Sequence, residues 1–322
     1  MSEIHDAKII LIGDGSVGSA FAYHNVITGV GRELGIIDIN QDKVYGDVLD
    51  LEDATPFSPR KHIFQATYED CKDADIVVFT AGIPQKPGGE TRLDLVDKNL
   101  PIFKDMIGQV VDSGFDGIFV VASNPVDILT YATWKFSGFP SEKVIGTGTS
   151  LDSARFRVEI AKALDVDPRD VTAYILGEHG DTEFGAWSHV LVGGQPIEKF
   201  ATSDNRLDQQ ARQDEITDYV RNKAYDIING KGATYYGIGS CINRICRAIL
   251  NNERATLPVS ALLEDNYQQD DIYIGTPAII GSQGIEQVIE LELTEREQGF
   301  MDNSANAMRK IIEDSFAKLE DK

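Results

Sequence analysis

His179 lies in the run Ala173-Tyr-Ile-Leu-Gly-Glu-His-Gly-Asp181, where an apolar stretch from Val171 to Leu176 reads as one strand delivering an imidazole to a glycine-flanked turn. No other side chain has an unperturbed pKa so close to neutrality, so a histidine facing a cleft can give or take a proton. Asp152, in Leu151-Asp-Ser-Ala-Arg155, offers a carboxylate that can fix the ring's tautomer and stabilise its imidazolium. Arg155, three residues further along an expected helix, offers the planar guanidinium that best grips a carboxylate, because both bonds form together. Taken singly, a turn histidine and an ion pair of this kind are ordinary surface features. The elements that would hold them decide the matter.

The chain opens with an apolar strand, Lys8 to Ile12, running into Gly13-x-Gly15-x-x-Gly18 and then a helix of small residues to about Thr28. A second strand, Glu33 to Ile37, ends at Asp38. In this order Gly13 permits a tight turn, Gly15 lets backbone approach a pyrophosphate, and Gly18 allows close packing of helix on sheet. The phosphates would then sit at the helix N-terminus, and Asp38 would accept hydrogen bonds from the adenosine ribose. An acid there repels a 2′-phosphate, so NAD is expected rather than NADP. Further strands are predicted near Ile63–Ala66, Ile76–Thr80, Ile118–Ala122 and Val144–Gly146, with helices at Leu93–Ser113, broken or kinked at Pro101, and at Val126–Ser137. Apolar strands alternating with amphipathic helices imply a parallel sheet covered on both faces.

Beyond Gly148 the pattern changes. Helices are expected at Leu151–Leu164, Asp208–Ile228, Gly237–Asn251 and Thr294–Ala317, with strands at Val171–Leu176, His189–Val192, Thr256–Leu262, Asp271–Ile274 and Ala278–Ile280. The fold class is therefore α/β: a Rossmann-type doubly wound parallel sheet at 1–147, then an α+β catalytic domain at 148–322 of more antiparallel character.

Composition narrows the partners. Of 322 residues 42% are hydrophobic and 25% charged, and 52 acidic against 30 basic residues give a net charge of −22. That surface repels nucleic acid and anionic membranes at long range, so an anionic ligand must be met by placed cations. The three cysteines, Cys71, Cys241 and Cys246, show neither metal-ligand spacing nor a disulfide framework and fit a reducing cytoplasm. Neither a membrane-spanning run nor a signal peptide is expected, and no metal.

Two further turns carry polar residues at strand ends. Pro84-Gln-Lys-Pro-Gly-Gly-Glu-Thr-Arg92 follows the fourth strand at the sheet edge where open α/β sheets bind ligands, and its prolines and glycines suit a lid. Ser123-Asn-Pro-Val-Asp127 follows the fifth strand, with Asn124 able to offer an amide to substrate or nicotinamide and Asn124-Pro125 able to be cis.

With these pieces in place, the chain resembles the L-lactate/malate dehydrogenase family along essentially its whole length, most like its bacterial L-lactate dehydrogenase branch. The resemblance rests on Gly13-Asp-Gly-Ser-Val-Gly18, Thr80-Ala-Gly82, Gln85-Lys-Pro with Gly89-Glu-Thr-Arg92, Asn124-Pro-Val-Asp127, Gly148 to Arg157, Gly177-Glu-His-Gly-Asp181, Lys231-Gly-Ala-Thr234 and Asp271 to Pro277. It implies that His179 is the proton donor and acceptor with Asp152 as partner, that Arg155 clamps the substrate carboxylate, and that Arg92 on the lid polarises the keto oxygen. Gln85 and Asn124 would meet substrate, and Thr234 would close the pocket. For NAD, it places Gly15 and Val17 at the pyrophosphate, Asp38 and Lys43 at the adenosine, Tyr68, Gly82 and Ile83 near the ribose, and Asn124 and Thr147 at the nicotinamide side. It implies a cytoplasmic homotetramer interconverting pyruvate and L-lactate, with malate dehydrogenase and a broader L-2-hydroxyacid dehydrogenase as rivals and a catalytically dead dinucleotide-binding regulator as the rival of another class.

Three positions depart from the family pattern. Gly88-Gly89 doubles a lid glycine, Lys223-Ala224 replaces an alanine pair beside the pocket, and Thr172 stands where relatives activated by fructose 1,6-bisphosphate carry a histidine. Arg157 matches the arginine of that effector site, but a threonine hydroxyl cannot replace a charge-assisted phosphate contact. Little or no activation is expected, seen as an unchanged pyruvate KM with the bisphosphate added.

Overall fold

The computed structural model describes residues 6–83 and 92–320, without the side chains of 92, 93 and 320. Gln85 and the Arg92 side chain, both expected at the site, lie outside the described residues, as does the Gly88-Gly89 pair.

The first half alternates strictly. Strands β1 (Lys8–Ile12), β2 (Glu33–Ile37), β3 (His62–Gln65), β4 (Ile76–Phe79), β5 (Ile118–Val121) and β6 (Val144–Gly146) are joined by helices α1 (Ser16–Thr28), α2 (Gln41–Ala54), α3 (Arg92–Asp112) and α4 (Val126–Ser137). Then come α5 (Ser150–Leu164), the short strands β7 (Val171–Thr172), β8 (Ile175–Leu176), β9 (Phe184–Gly185), β10 (Leu191–Val192) and β11 (Gln195–Pro196), and helices α6 (Gln210–Lys231) and α7 (Tyr236–Leu250). Strands β12 (Ala255–Glu264), β13 (Asp270–Gly281) and β14 (Gly284–Val288) precede the long helix α8 (Glu295–Glu320).

Among the described residues the main sheet runs β14-β13-β12-β6-β5-β4-β1-β2-β3. The six strands from β3 to β6 pair in parallel, and β12 to β14 extend the same sheet antiparallel from β6. Successive strand residues separate cleanly between two cores. Ile10, Ile12, Val77 and Phe79 pack with Val96, Phe103, Leu129 and Met301 from α3, α4 and α8. Ile9, Leu11, Ile76 and Val78 pack with Phe21, Val44 and Ile242 from α1, α2 and α7. Burial on both faces is why these strands are apolar throughout, each full side chain contributing about 1.5–3 kcal/mol.

Several expectations are corrected. The run Val171–Leu176 is two strands, not one: β7 pairs with β10, and β8 with β9, in separate small sheets. Val171 and Ala173 are buried and Thr172 is exposed, an alternation that suits a single strand, so nothing local reveals the split. The expected strand His189–Val192 is shorter, because Trp187–His189 forms a 3-10 turn. The predicted pair Asp271–Ile274 and Ala278–Ile280 is the single strand β13. Pro277, between the two predicted stretches, lies opposite Pro258 across the ladder and takes its hydrogen bond from Ile289 N on the other side. Helix α3 passes through Pro101 without the expected break. Helix α2, with the Asn40 side chain accepting from Lys43 N at its start, is absent from the sequence reading, because its exposed acidic residues leave only Val44, Val48 and Leu51 buried.

Candidate active site

At the C-terminal end of β1 the chain turns at Gly13 with φ +107°, and its N–H donates to Ile37 O. A Cβ on Gly13 would stand 2.3 Å from Ala81 N, and one on Gly18 only 2.0 Å from Gly13 O, whereas one on Gly15 would meet nothing within 4 Å. Two glycines therefore close the fold, and the third leaves room above the N-terminus of α1, whose first turn holds no acidic residue. Val17 lies on that first turn, half-buried against the core. The Asp38 carboxylate is held at the end of β2 by Asp14 N at 2.7 Å and Asn40 N at 2.9 Å. Lys43 reaches back between Asp14 at 2.9 Å and Asp47 at 2.6 Å. Burial raises the Asp14 pKa, against the opposing pull of Lys43. Tyr68, half-buried in the turn after β3, packs against the core, and burial pushes its hydroxyl up to about 12.

The next two turns are tied together by one buried residue. Asn99 on α3 accepts from Ile83 N at 2.8 Å and donates to Ile83 O at 3.3 Å and Asn124 O at 3.4 Å. It braces Gly82-Ile83 after β4 against Asn124 after β5, where the Asn124-Pro125 peptide is cis. Asn124 itself is exposed at this edge. Thr147 is buried at the end of β6, its N–H on Val121 O.

His179 comes from the other half. Gly177 (φ +88°) exchanges both backbone hydrogen bonds with Gly275 of β13, pinning the turn after β8 to the edge of the main sheet. The Asp127 carboxylate on α4 then accepts from His179 N at 2.8 Å, and Ser304 on α8 accepts from Glu178 N at 2.7 Å. From the first turn of α5, Asp152 places one carboxylate oxygen 2.6 Å from His179 Nδ1 and the other 3.0 Å from Arg155 Nη1. Asp152 and Arg155 are buried, while 26% of the His179 side chain stays open to solvent. Burial by itself would lower the imidazole pKa; the Asp152 carboxylate overrides it, with smaller help from Asp127, and lifts it to about 9. Burial works against the Asp152 anion too, yet His179 and Arg155 hold that carboxyl below its ordinary range. With Nδ1 committed to Asp152, Nε2 is the nitrogen free to exchange a proton.

Other expected residues fall elsewhere. Thr234 is half-buried in the loop between α6 and α7. Lys223 on α6 is paired at 2.6 Å with Glu159 of α5. Arg157 donates to Pro168 O at 3.1 Å, and exposed Thr172 shares a cleft with it in which, among the described residues, the only other charged group is Arg244, itself 2.7 Å from Glu253. The sequence reading gave no role to Asn99, Asp127 or Ser304. Asp127 stood in a singled-out turn, but its partner lies 52 residues away, which no local pattern shows.

The chain is similar to known proteins along nearly its whole length. The family model described as lactate/malate dehydrogenase, NAD binding domain, matches residues 7–146, and that for the alpha/beta C-terminal domain matches residues 149–319. An L-lactate dehydrogenase 1 from Enterococcus faecalis is 58% identical over 313 residues, 97% of this chain and 95% of that protein. One of the same name from Listeria monocytogenes is 55% identical over 97% of this chain and 98% of its own length. The crystal structure of a minor L-lactate dehydrogenase from Enterococcus mundtii in its ligands-bound form superposes with a TM-score of 0.92 at 48% identity, covering 96% of this chain and 98% of that one.

Proposed function

We propose, on the premise that this chain belongs to the lactate/malate dehydrogenase family, that it is an NAD-dependent L-lactate dehydrogenase interconverting pyruvate and L-lactate. The observation that carries the reading is His179, held by Asp152 at 2.6 Å and protonated to about pH 9, beside the buried guanidinium of Arg155. The residues at the sheet edge fit the cofactor: open space above Gly15, an α1 N-terminus free of acid in its first turn, and Asp38 oriented at the end of β2. When bound, the nicotinamide supplies or takes the hydride at C2 of the substrate.

The rest is the work of the protein. Arg155 keeps one N–H on Asp152 and turns its remaining donors to the substrate carboxylate, a charge-assisted contact that fixes C2 relative to His179. In reduction the imidazolium gives its Nε2 proton to the C2 oxygen as negative charge develops there, and Asp152 stabilises the charged ring beforehand. In oxidation the neutral ring takes that proton back. Arg92, at the start of α3 where the lid loop ends, steadies the charge on the oxygen once water is displaced. Asn124 contacts substrate beside the nicotinamide, Thr234 closes the pocket, and Gln85 faces the substrate side chain. Gly13, Gly15, Val17, Gly18, Asp38, Lys43, Tyr68, Gly82, Ile83 and Thr147 form the NAD site, with the cofactor domain at 1–147 and the catalytic domain at 148–322.

The proposal includes a cytoplasmic homotetramer. Exposed Tyr23 and Ile27 on α1 and Tyr236 at the start of α7 lie on packed helices and support burial against another copy. No helix among the described residues is long and apolar enough to cross a membrane.

The two directions of reaction need opposite forms of His179. The kcat for pyruvate reduction should fall as pH rises through about 9, and the kcat for lactate oxidation should rise toward the same midpoint. Profiles with unrelated midpoints, or a His179→Asn variant with undiminished kcat, would remove His179 from the mechanism.

A further inference from the structure

Glu183, at the start of β9, is a buried carboxyl group that the mechanism above does not use. Only 2% of it is exposed, and among the described residues its Oε1 has no hydrogen-bond partner. A carboxylate oxygen of Glu183, one of Asp152 and a ring nitrogen of His179 lie within 4.8 Å of one another. Among the described residues the charged groups facing it are Asp152 and Arg155 from α5, His179 from the turn after β8 and Arg221 from α6. Arg221 gives its Nη2 to the backbone oxygen of Glu183 and its Nη1 to Asp218, and Arg155 gives Nη1 to Asp152.

Two carboxyl groups so close and so buried cannot both be ionised without cations to hold each of them. Asp152 has both its cations in contact, so the negative charge belongs to Asp152. Among the described residues Glu183 has neither an ion pair nor, at Oε1, a hydrogen bond, and the neutral acid is the form that this surrounding tolerates.

We propose that Glu183 is a positioning residue for substrate charge: it remains a neutral acid while the anionic substrate binds at Arg155, and its ionisation weakens substrate binding at alkaline pH beyond the loss of the His179 charge. The inference rests on the lactate dehydrogenase reading. Burial first, and then the Asp152 charge, raise the Glu183 pKa well above the ordinary carboxyl range, in the direction the geometry requires. Ionised Glu183 adds a second buried anion beside Arg155, and an incoming carboxylate must overcome it. The bound substrate anion in turn strengthens the hold of Glu183 on its proton, so substrate and proton bind together. A proton on Glu183 leaves Arg155 and the imidazolium as an undiminished cationic pair, on a chain whose net charge of −22 repels anions at long range.

The test has a spectroscopic and a kinetic arm. In infrared difference spectra of the wild type minus Glu183→Gln, without substrate, the carbonyl stretch of a protonated carboxylic acid should be present at pH 7 and vanish as pH rises. Labelling the wild type with [13C]glutamate should shift the same band, which keeps this arm decisive if Glu183→Gln does not fold. In the kinetic arm, kcat/KM for pyruvate should fall about 100-fold per pH unit above both ionisations in the wild type and about 10-fold in Glu183→Gln, while kcat follows His179 alone in both. No protonated glutamate band at pH 7, or the same alkaline slope in wild type and variant, overturns the proposal. A protein that turns over no pyruvate at any pH refutes the lactate dehydrogenase reading, and the infrared arm then still decides the state of Glu183.

Discussion

Asp152 carries the heaviest local demand in the site, because one carboxylate serves His179 on one side and Arg155 on the other. Replacing it with Asn removes the charge and keeps the shape. The Asp152→Asn variant should lose at least about tenfold in kcat for pyruvate at pH 8, and its midpoint should move from about 9 back toward the ordinary histidine value near 6.5. The stability effect has a definite sign. A histidine pKa raised on folding contributes stability that is complete below about 6.5 and is lost as pH rises through about 9, on the order of 3 kcal/mol in total. The Tm deficit of the variant should therefore be largest at mildly acidic pH and shrink above pH 9. A kcat midpoint left near 9 would show that Asp152 does not set the proton affinity of His179. At this scale the sequence was partly readable. The types of His179, Asp152 and Arg155 suggested proton transfer and anion binding, and the family motifs placed them together. Glu183 went unnoticed, since its meaning lies in an absence of partners that only packing creates.

At the scale of elements, the glycine turn separates two jobs that one motif hides. Gly18 faces backbone, with a Cβ only 2.0 Å from Gly13 O, while Gly15 faces open space. Gly18→Ala should destabilise the fold by about 1–3 kcal/mol, through strain between α1 and the β1 turn. Gly15→Ala should leave the Tm near that of the wild type yet weaken NADH binding. Equal loss of Tm in both, or unaltered NADH affinity in Gly15→Ala, would contradict this division. The strand-turn-helix-strand order made that motif legible, because each piece is local in sequence. The small sheets of the second half were not legible. Val171 to Ile175 alternates in burial as a single strand would, with Thr172 exposed, and the division of the run between β10 and β9 is decided by partners that lie further along the chain. Pro277 misled in the opposite direction: its carbonyl faces Ile289, whose N–H donates to it, and the Tyr267 hydroxyl gives the Ile289 oxygen the hydrogen bond that a proline cannot.

The whole molecule gathers its site across a continuous sheet. Strand β12 pairs with β6 at Ser260 and Gly146, so the second half completes the sheet that the first half begins. Gly275 of β13 holds the His179 turn against that edge, while α5 leaves β6 carrying Asp152 and Arg155 to the same place. The cofactor turns and the proton-transfer residues thus share one rigid edge. The sequence disclosed the parallel half through its alternating pattern, but the joining of β12 to β6 spans more than a hundred residues and left no periodic trace.

Substrate choice tests the central claim most directly. In the family the position of Gln85 is arginine where the substrate carries a second carboxylate, and a neutral side chain leaves such a group buried and unpaired at a cost of several kcal/mol. Steady-state NADH oxidation should be measured with pyruvate, oxaloacetate and 2-oxoisocaproate under identical conditions. An L-lactate dehydrogenase gives a kcat/KM for pyruvate that exceeds the value for oxaloacetate by orders of magnitude and is the highest of the three, with Gln85→Arg moving the preference toward oxaloacetate. Equal or better use of oxaloacetate by the wild type, or no oxidation with pyruvate, would contradict it.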